Sequence, residues 1–389
     1  MPPSGLRIDA IPARDLYSFY LKYVEHSQGQ QITPISRYRA LSQSKNPYAE
    51  EGDVGLLVAY FGDRCVGYQG VLPGKLRNSH GTAKVFWCTA AYVLPEFRKR
   101  MVAIQLVKKL VSLGKDIVLT GFDKVVADVF KGLHFREIQP LEYLSLRVDR
   151  LDLFSYPFRR FYRLKKRWPA FQNVAEAGIR FSRRRFHPAV RTSYYRMLDR
   201  RASKFLEGVR WEEARSVRSL SLNGAAAPNH ETGFQRDLEA IDWMLEFPWI
   251  QDGPPPTRPL YYFSEAYDHF RYIVLTIKGT DGECRAFVVL SLTVEKGESK
   301  LKVLDFRGHP EDDKALFWLV CKHAAQHQVD EVELPLRMES QAASLPFASF
   351  VTKRESRRYL CYPSSKDSPL ARAIPRLSLD LCDGDCAFT

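Results

Sequence analysis

The stretch VFWCTAAYVLPEFRKRMVAIQLVKKL (residues 85–110) decides how the rest of the chain is read. It opens on β-branched and aromatic residues, halts at Pro95, crosses a basic turn and resumes with a different period. Ile104, Leu106, Val107, Leu110 and Val111 recur at helical spacing. A strand over Lys84–Val93 therefore leads through Arg98-Lys99-Arg100-Met101-Val102-Ala103 into a helix over Val102–Leu113, which Gly114 ends. The first N–H groups of a helix lack intrahelical partners and sit at the positive end of its dipole. Three cations in the turn before such a helix predict an anion site, and a phosphate group suits it.

Working outward, GLLVAYFGDRCVGYQGVLP (55–73) reads as an antiparallel hairpin closed at Gly62-Asp63. Pro12–Val24 reads as a helix before it. After the central stretch come a buried strand over Asp116–Thr120, a helix capped by Asp123 and running to Lys131, and a strand over Phe135–Val148. The order recurs beyond Trp211. A helix over Asp237–Trp243 precedes strands over Phe270–Ile277, Cys284–Val294 and Leu301–Phe306. Then follow a helix over Asp312–His327 and strands over Glu331–Leu336, Phe347–Val351 and Arg358–Tyr362, with a loose tail expected from Pro363. NGAAAPN (223–229) and GPPPTRP (253–259) read as loops. Two copies of one α+β topology are the economical account, over 1–148 and 211–389.

The 389 residues carry a formal charge of +13, and it is localised. Arg147 to Phe205 holds 17 Lys or Arg against 4 Asp or Glu, which leaves the remainder neutral. A basic helical bridge over 149–210 is expected, with RRFYRLKKRW (159–168) and RFSRRRFHPAVRTSYYRMLDRR (180–201) interleaving aromatics and cations. Three readings stay open for 159–201: helices with a solvated face, docking to an acidic protein, or docking to an anionic membrane surface. Nucleic acid is not expected, because no zinc-finger, RRM-like or helix-turn-helix pattern accompanies the charge.

Seven scattered cysteines do not form a disulfide framework and fit a reducing compartment. Cys382 and Cys386 lack further ligands nearby, and His323 and His327 lack a third, so no metal is expected. No apolar run reaches the ~18–20 residues of a membrane span, and MPPSGLRIDA lacks a signal-like apolar segment. A cytoplasmic protein is expected, with peripheral attachment to the inner face of the membrane left open. No nucleophile elbow, Walker A loop or strand-linked G-x-G-x-x-G occurs, so hydrolase, nucleotidase and dinucleotide chemistries lack motif support.

The central stretch resembles the GNAT (Gcn5-related N-acetyltransferase-like) superfamily, where a strand and a proline lead through Arg/Gln-x-x-Gly-x-Gly/Ala into a helix. Arg98-Lys99-Arg100-Met101-Val102-Ala103 occupies that loop, and GFDKVVADVFKGLHF (121–135) resembles the following helix and its Leu-Gly-Phe return. RDLEAIDWMLEFP (236–248) looks like a segment of the second module of two-module bacterial members. The resemblance implies two tandem modules, each a mixed central sheet flanked by helices, with acyl-coenzyme A as co-substrate and an amine acceptor. An amino sugar, an amino acid and a cell-envelope precursor are all open as acceptors. It places coenzyme A against Val93, the loop from Arg98 to Ala103, and Phe130.

Three departures stand out. Met101 replaces the first glycine, His134 replaces the glycine of the return, and Phe130 lacks the hydroxyl the family often uses to protonate the departing thiolate. Tyr92, at the strand end, is the candidate for a direct catalytic role. Alternation puts Cys88, Ala90 and Tyr92 on one face. Cys88 has no local histidine, so a covalent acyl-enzyme is not expected. In the second half, Arg307 and Gly308 could meet a phosphate, but Glu311, Asp312 and Asp313 occupy the helix start and oppose it. A non-catalytic GNAT-fold binding or assembly protein, and an acyl carrier protein as donor, remain alternatives.

Overall fold

Strand β1 (Leu6–Pro12), ahead of the helix expected from Pro12, pairs antiparallel with β2 (Val54–Phe61). The helix α1 (Leu16–Glu25) begins only after a 3-10 turn at Ala13–Asp15. The computed structural model of the protein describes residues 5–25, 30–79, 81–148, 187–218, 220, 232–254 and 261–388. Most of the expected bridge (149–186), the loop 223–229 and residues 255–259 of the proline-rich connection lie outside the described residues.

A short helix α2 (Arg37–Ser44) is capped by Ser36. The hairpin of β2 and β3 (Arg64–Asn78) turns at Gly62, whose φ of 56° suits a residue without Cβ. Then come β4 (Gly81–Val93), α3 (Val102–Val111), β5 (Asp116–Thr120), α4 (Lys124–Gly132) and β6 (Arg136–Arg147). Asp123 caps α4 through Val126 N–H at 2.8 Å.

The basic helix α5 (His187–Phe205) leads to β7 (Arg210–Ala214), and α6 (Leu238–Glu246) to the meander β8 (His269–Lys278), β9 (Cys284–Glu295) and β10 (Glu298–Arg307). After these come α7 (Asp313–His327), β11 (Glu331–Pro335), α8 (Glu339–Ala342), α9 (Ala348–Val351), β12 (Thr352–Tyr362) and α10 (Pro369–Ala373). Phe347–Val351, expected as a strand, is thus the approach to and body of α9.

The strands form one 13-stranded mixed sheet among the described residues, not a separate sheet in each half. Its path is β1-β2-β3-β4-β5-β12-β6-β11-β10-β9-β8-β7, with Gly233–Phe234 added beside β3. The last strand, β12, lies between β5 and β6, antiparallel to both. In turn β6 pairs with β11 of the second half. Each half therefore supplies a strand that closes the other.

The segment after Pro363 is ordered, which corrects the loose tail. Leu381, Cys382 and Phe388 are at most 3% exposed, and Phe388 stacks on Trp249 at 4.3 Å. Burying a ring of that size contributes about 1.5–3 kcal/mol. Gly384 permits the close approach: at φ 72°, a Cβ there would fall 2.8 Å from the Trp87 indole. All seven cysteines carry free thiols. No helix among the described residues is long and apolar enough to cross a membrane.

Candidate functional site

Strands β4 and β5 part company after Cys88. They pair in parallel only over Val85–Cys88 against Asp116–Leu119, and β5 ends at Thr120 while β4 runs on to Val93. Near the parting β4 bulges: Thr89 faces Gly70 and Ala91 faces Gln69, leaving Ala90 between them at φ 30°. An extra residue inverts the alternation beyond it. Tyr92 faces Tyr68, two residues from Gly70, so it shares the Thr89 side of the sheet, while Cys88 faces Val71 on the other. The expected common face of Cys88, Ala90 and Tyr92 is overturned by this one inserted residue.

Past β4, the 3-10 turn Pro95–Arg100 ends at Met101, which sits in the left-handed region at φ 58°, ψ 17°. Glycine fits that conformation without steric opposition, and Met101 adopts it with its side chain 48% exposed. His134 does the same at φ 69°. Both residues, at positions where glycine was expected, thus hold a backbone that glycine adopts without strain. Gly67 of β3 lets the neighbouring strand in: a Cβ there would lie 2.9 Å from Tyr92 O and 3.0 Å from Val93 Cγ2.

The start of α3 receives no side-chain cap and has no acid in its first turn. Arg98, Lys99 and Arg100 are exposed in the turn before it, and among the described residues no carboxylate pairs with them. The one acid there, Glu96, is taken by Arg64 at 2.5 Å. Arg98 Nε donates to Val93 O at 3.2 Å, which fixes the guanidinium beside the Tyr92 ring at 5.9 Å. Arg100 lies over Phe97 at 5.3 Å. Val102 is fully buried beneath this turn and Ala103 is exposed. Phe130 is 4% exposed and packs edge-to-face on Phe135 at 4.8 Å, so it sits in the core between α4 and the strand it leads to.

The corresponding turn in the second half is built differently. Arg307 is 3% exposed, donates to Arg236 O and lies 3.4 Å from Asp305, so it is core rather than a phosphate ligand. Arg285 pairs with Asp312, and Arg337 grips Asp313 through two bonds of 2.7 and 2.8 Å. The carboxylates at the start of α7 are each held by an arginine.

On the Tyr92 side of the sheet the structure gathers residues that sequence reading passes over. Tyr262 stacks on Tyr92 at 4.2 Å, and Tyr261 on Tyr68 at 5.9 Å. Arg39 of α2 donates to the Tyr261 hydroxyl at 2.6 Å and lies 3.9 Å from the Trp249 ring. Asp385, in the segment expected to be frayed, is 3.9 Å from Arg39. Burial raises its pKa against the pull of Arg39. Tyr261 and Tyr262 follow a proline-rich connection, and nothing in their local pattern marks them as wall residues. Burial, and secondarily the Asp385 charge, pushes the Cys88 thiol up, so it stays protonated.

No family model matches the sequence, and no curated protein is similar to it by sequence. Solved structures are similar in chain path. A GCN5-related N-acetyltransferase from Anabaena variabilis is 11% identical, with 92% of this chain and 73% of that one covered and a TM-score of 0.49. The Saccharomyces cerevisiae N-myristoyltransferase with bound myristoyl-CoA is 9% identical, covering 92% and 80% with a TM-score of 0.45. Eis1 from Mycobacterium abscessus is 10% identical, covering 91% and 72% with a TM-score of 0.41.

Proposed function

We propose that the chain is a GNAT-type N-acyltransferase, taking an acyl-coenzyme A donor at the β4–β5 opening and an amine acceptor on the Tyr92 side. The observation that carries this reading is the start of α3: uncapped, free of acid, preceded by a left-handed Met101 and by three cations without carboxylate partners among the described residues. Such a start fits a pyrophosphate, whose oxygens accept from N–H groups and from guanidinium. The carboxylate-filled start of α7 does not fit one, so a single donor site per chain is part of the reading.

In the transfer, the amine nitrogen bonds to the thioester carbonyl carbon, the carbon–sulfur bond breaks, and the proton lost from nitrogen balances the one gained by sulfur. The role of this chain is to hold and to exclude water. The parted end of β4 offers backbone groups from Ala91 to Val93 for the amide-bearing arm of the donor. Arg98 and Arg100 hold its anionic end. Tyr92, at the strand end, would supply the hydroxyl that Phe130 lacks, with Tyr262 stacked on its ring and Arg98 beside it. The acceptor is an amine, and its wider identity is not part of the reading.

Calorimetry with coenzyme A tests it. Arg98→Ala combined with Arg100→Ala is expected to weaken binding by about 1–3 kcal/mol through lost charged hydrogen bonds. Tyr92→Phe is expected to lower kcat with donor affinity intact. Unchanged affinity in the folded double variant, or two equivalent sites per chain, contradicts the reading.

A further inference from the structure

Phe347 and Phe350, at the start and on the outer side of α9, are 59% and 57% exposed. Phe347 is also held at φ 56°, ψ 31°, a conformation that a bulky side chain adopts only against steric resistance. The fold therefore holds two aromatic rings in solvent, one of them on strained backbone, where a polar residue or glycine would sit more easily.

Helix α5 runs beside them. Arg201 Nη1 donates to Ser344 O at 3.0 Å, and Tyr194 and Leu198 share a buried cluster with Val351. The outward residues Arg196, Arg200 and Lys204 are exposed and recur every fourth position, about 6 Å apart along the helix axis. Among the described residues none of the three has a carboxylate partner, and two nearby acids are already committed. Asp199 pairs with Lys322 at 3.6 Å, and Glu339 holds Arg354 through two bonds of 2.7 and 2.5 Å.

We propose that α5 and α9 together form a docking surface for an anionic phospholipid bilayer. The two rings enter the interfacial layer, and the row Arg196, Arg200 and Lys204 meets the headgroup phosphates. Charge complementarity selects this occupant: apolar rings alone would suit another protein equally, but an uncompensated row of cations beside them calls for a surface of fixed negative charge. The surface is separate from the β4–β5 opening and stands whether or not acyl transfer occurs there.

Sedimentation of the full chain with vesicles tests the proposal, comparing phosphatidylcholine alone with a mixture containing about 30 mol% phosphatidylserine. Binding is expected only to the mixture and is expected to fade with salt. Reversing Arg196, Arg200 and Lys204 to Glu is expected to weaken it roughly 100-fold, at least tenfold for each one or two cations lost. Phe347→Ser with Phe350→Ser is expected to weaken it roughly tenfold through lost apolar burial. Phe347→Gly separates docking from folding: its Tm should hold or rise, because glycine accepts the backbone, while vesicle binding falls. Equal sedimentation with both vesicles, or binding untouched in the folded variants, overturns the proposal. So does a self-association that the Phe variants abolish without any lipid binding, since the patch would then join two copies of the chain.

Discussion

Arg236 ion-pairs with Asp383 across 147 positions of sequence, and this contact seats the C-terminal segment in the core. The same guanidinium reaches Asp380 at 2.5 Å and lies 3.5 Å from Asp305. One buried cation thus offsets three carboxylates drawn from β10 and from the last turns of the chain.

Removing that cation should be severe. Arg236→Met takes from the buried Asp383 its ion-pair partner and is expected to destabilise the fold by about 3–5 kcal/mol in urea unfolding. Adding Asp383→Asn should restore part of the loss. A loss below about 1 kcal/mol would mean that water reaches the cluster and the pairing is not what seats the segment.

At Met101 the sign is opposite. Met101→Gly keeps the left-handed turn and removes its steric opposition, so the fold should gain about 1 kcal/mol, read as a rise in Tm. A fall in Tm would show that the methionine side chain contributes packing that outweighs the backbone term.

The buried imidazole of His323 introduces acid sensitivity. Neither ring nitrogen has a hydrogen-bond partner among the described residues, and burial, reinforced by the neighbouring His327, lowers its pKa to about 4. The folded state binds fewer protons than the unfolded one between about 4 and the ordinary histidine value of ~6.5. Its stabilising contribution is therefore complete above ~6.5 and is lost as pH falls toward 4. His323→Leu should flatten that limb of the stability profile, and an unchanged slope would clear this residue of the effect.

Cys88 should prove dispensable for chemistry. Its thiol is buried and protonated, on the opposite side of the sheet from Tyr92. Cys88→Ala is expected to keep most of any acyl-transfer activity per folded molecule, with a stability loss of about 1–2 kcal/mol. An acyl adduct on Cys88 in a mass spectrum would reverse this.

Local structure was legible wherever a local cause produced it. The hairpin turn at Gly62, the cap at Asp123 and the period of Ile104, Leu106, Val107 and Leu110 are short-range signals, and each corresponds to an element in place. The turn that opens α3 was legible for the same reason. The bulge at Ala90 was not, because alternation counts residues and has no mark for an inserted one. Strand β1 escaped notice because it is seven residues long and runs straight into a turn. The order of the C-terminal segment depends on Arg236, far away in sequence, and its acidic composition reads locally as a solvated end. Arg39, Tyr261 and Asp385 meet only because the sheet brings α2, a loop and the last turn together.

The position of β12 also sets a timetable for synthesis. Strands β5 and β6 are complete by Arg147, yet their shared partner ends at Tyr362. At ~5–20 residues per second, a ribosome needs roughly 10–40 s to supply the intervening chain. Throughout that time the edges of β5 and β6 that β12 will join stand open in the nascent protein, each a template for pairing with a neighbour. The first 148 residues cannot close their own sheet, so the chain folds as one late-committing unit, and a stop codon anywhere before Thr352 leaves the first half as unfinished as the second.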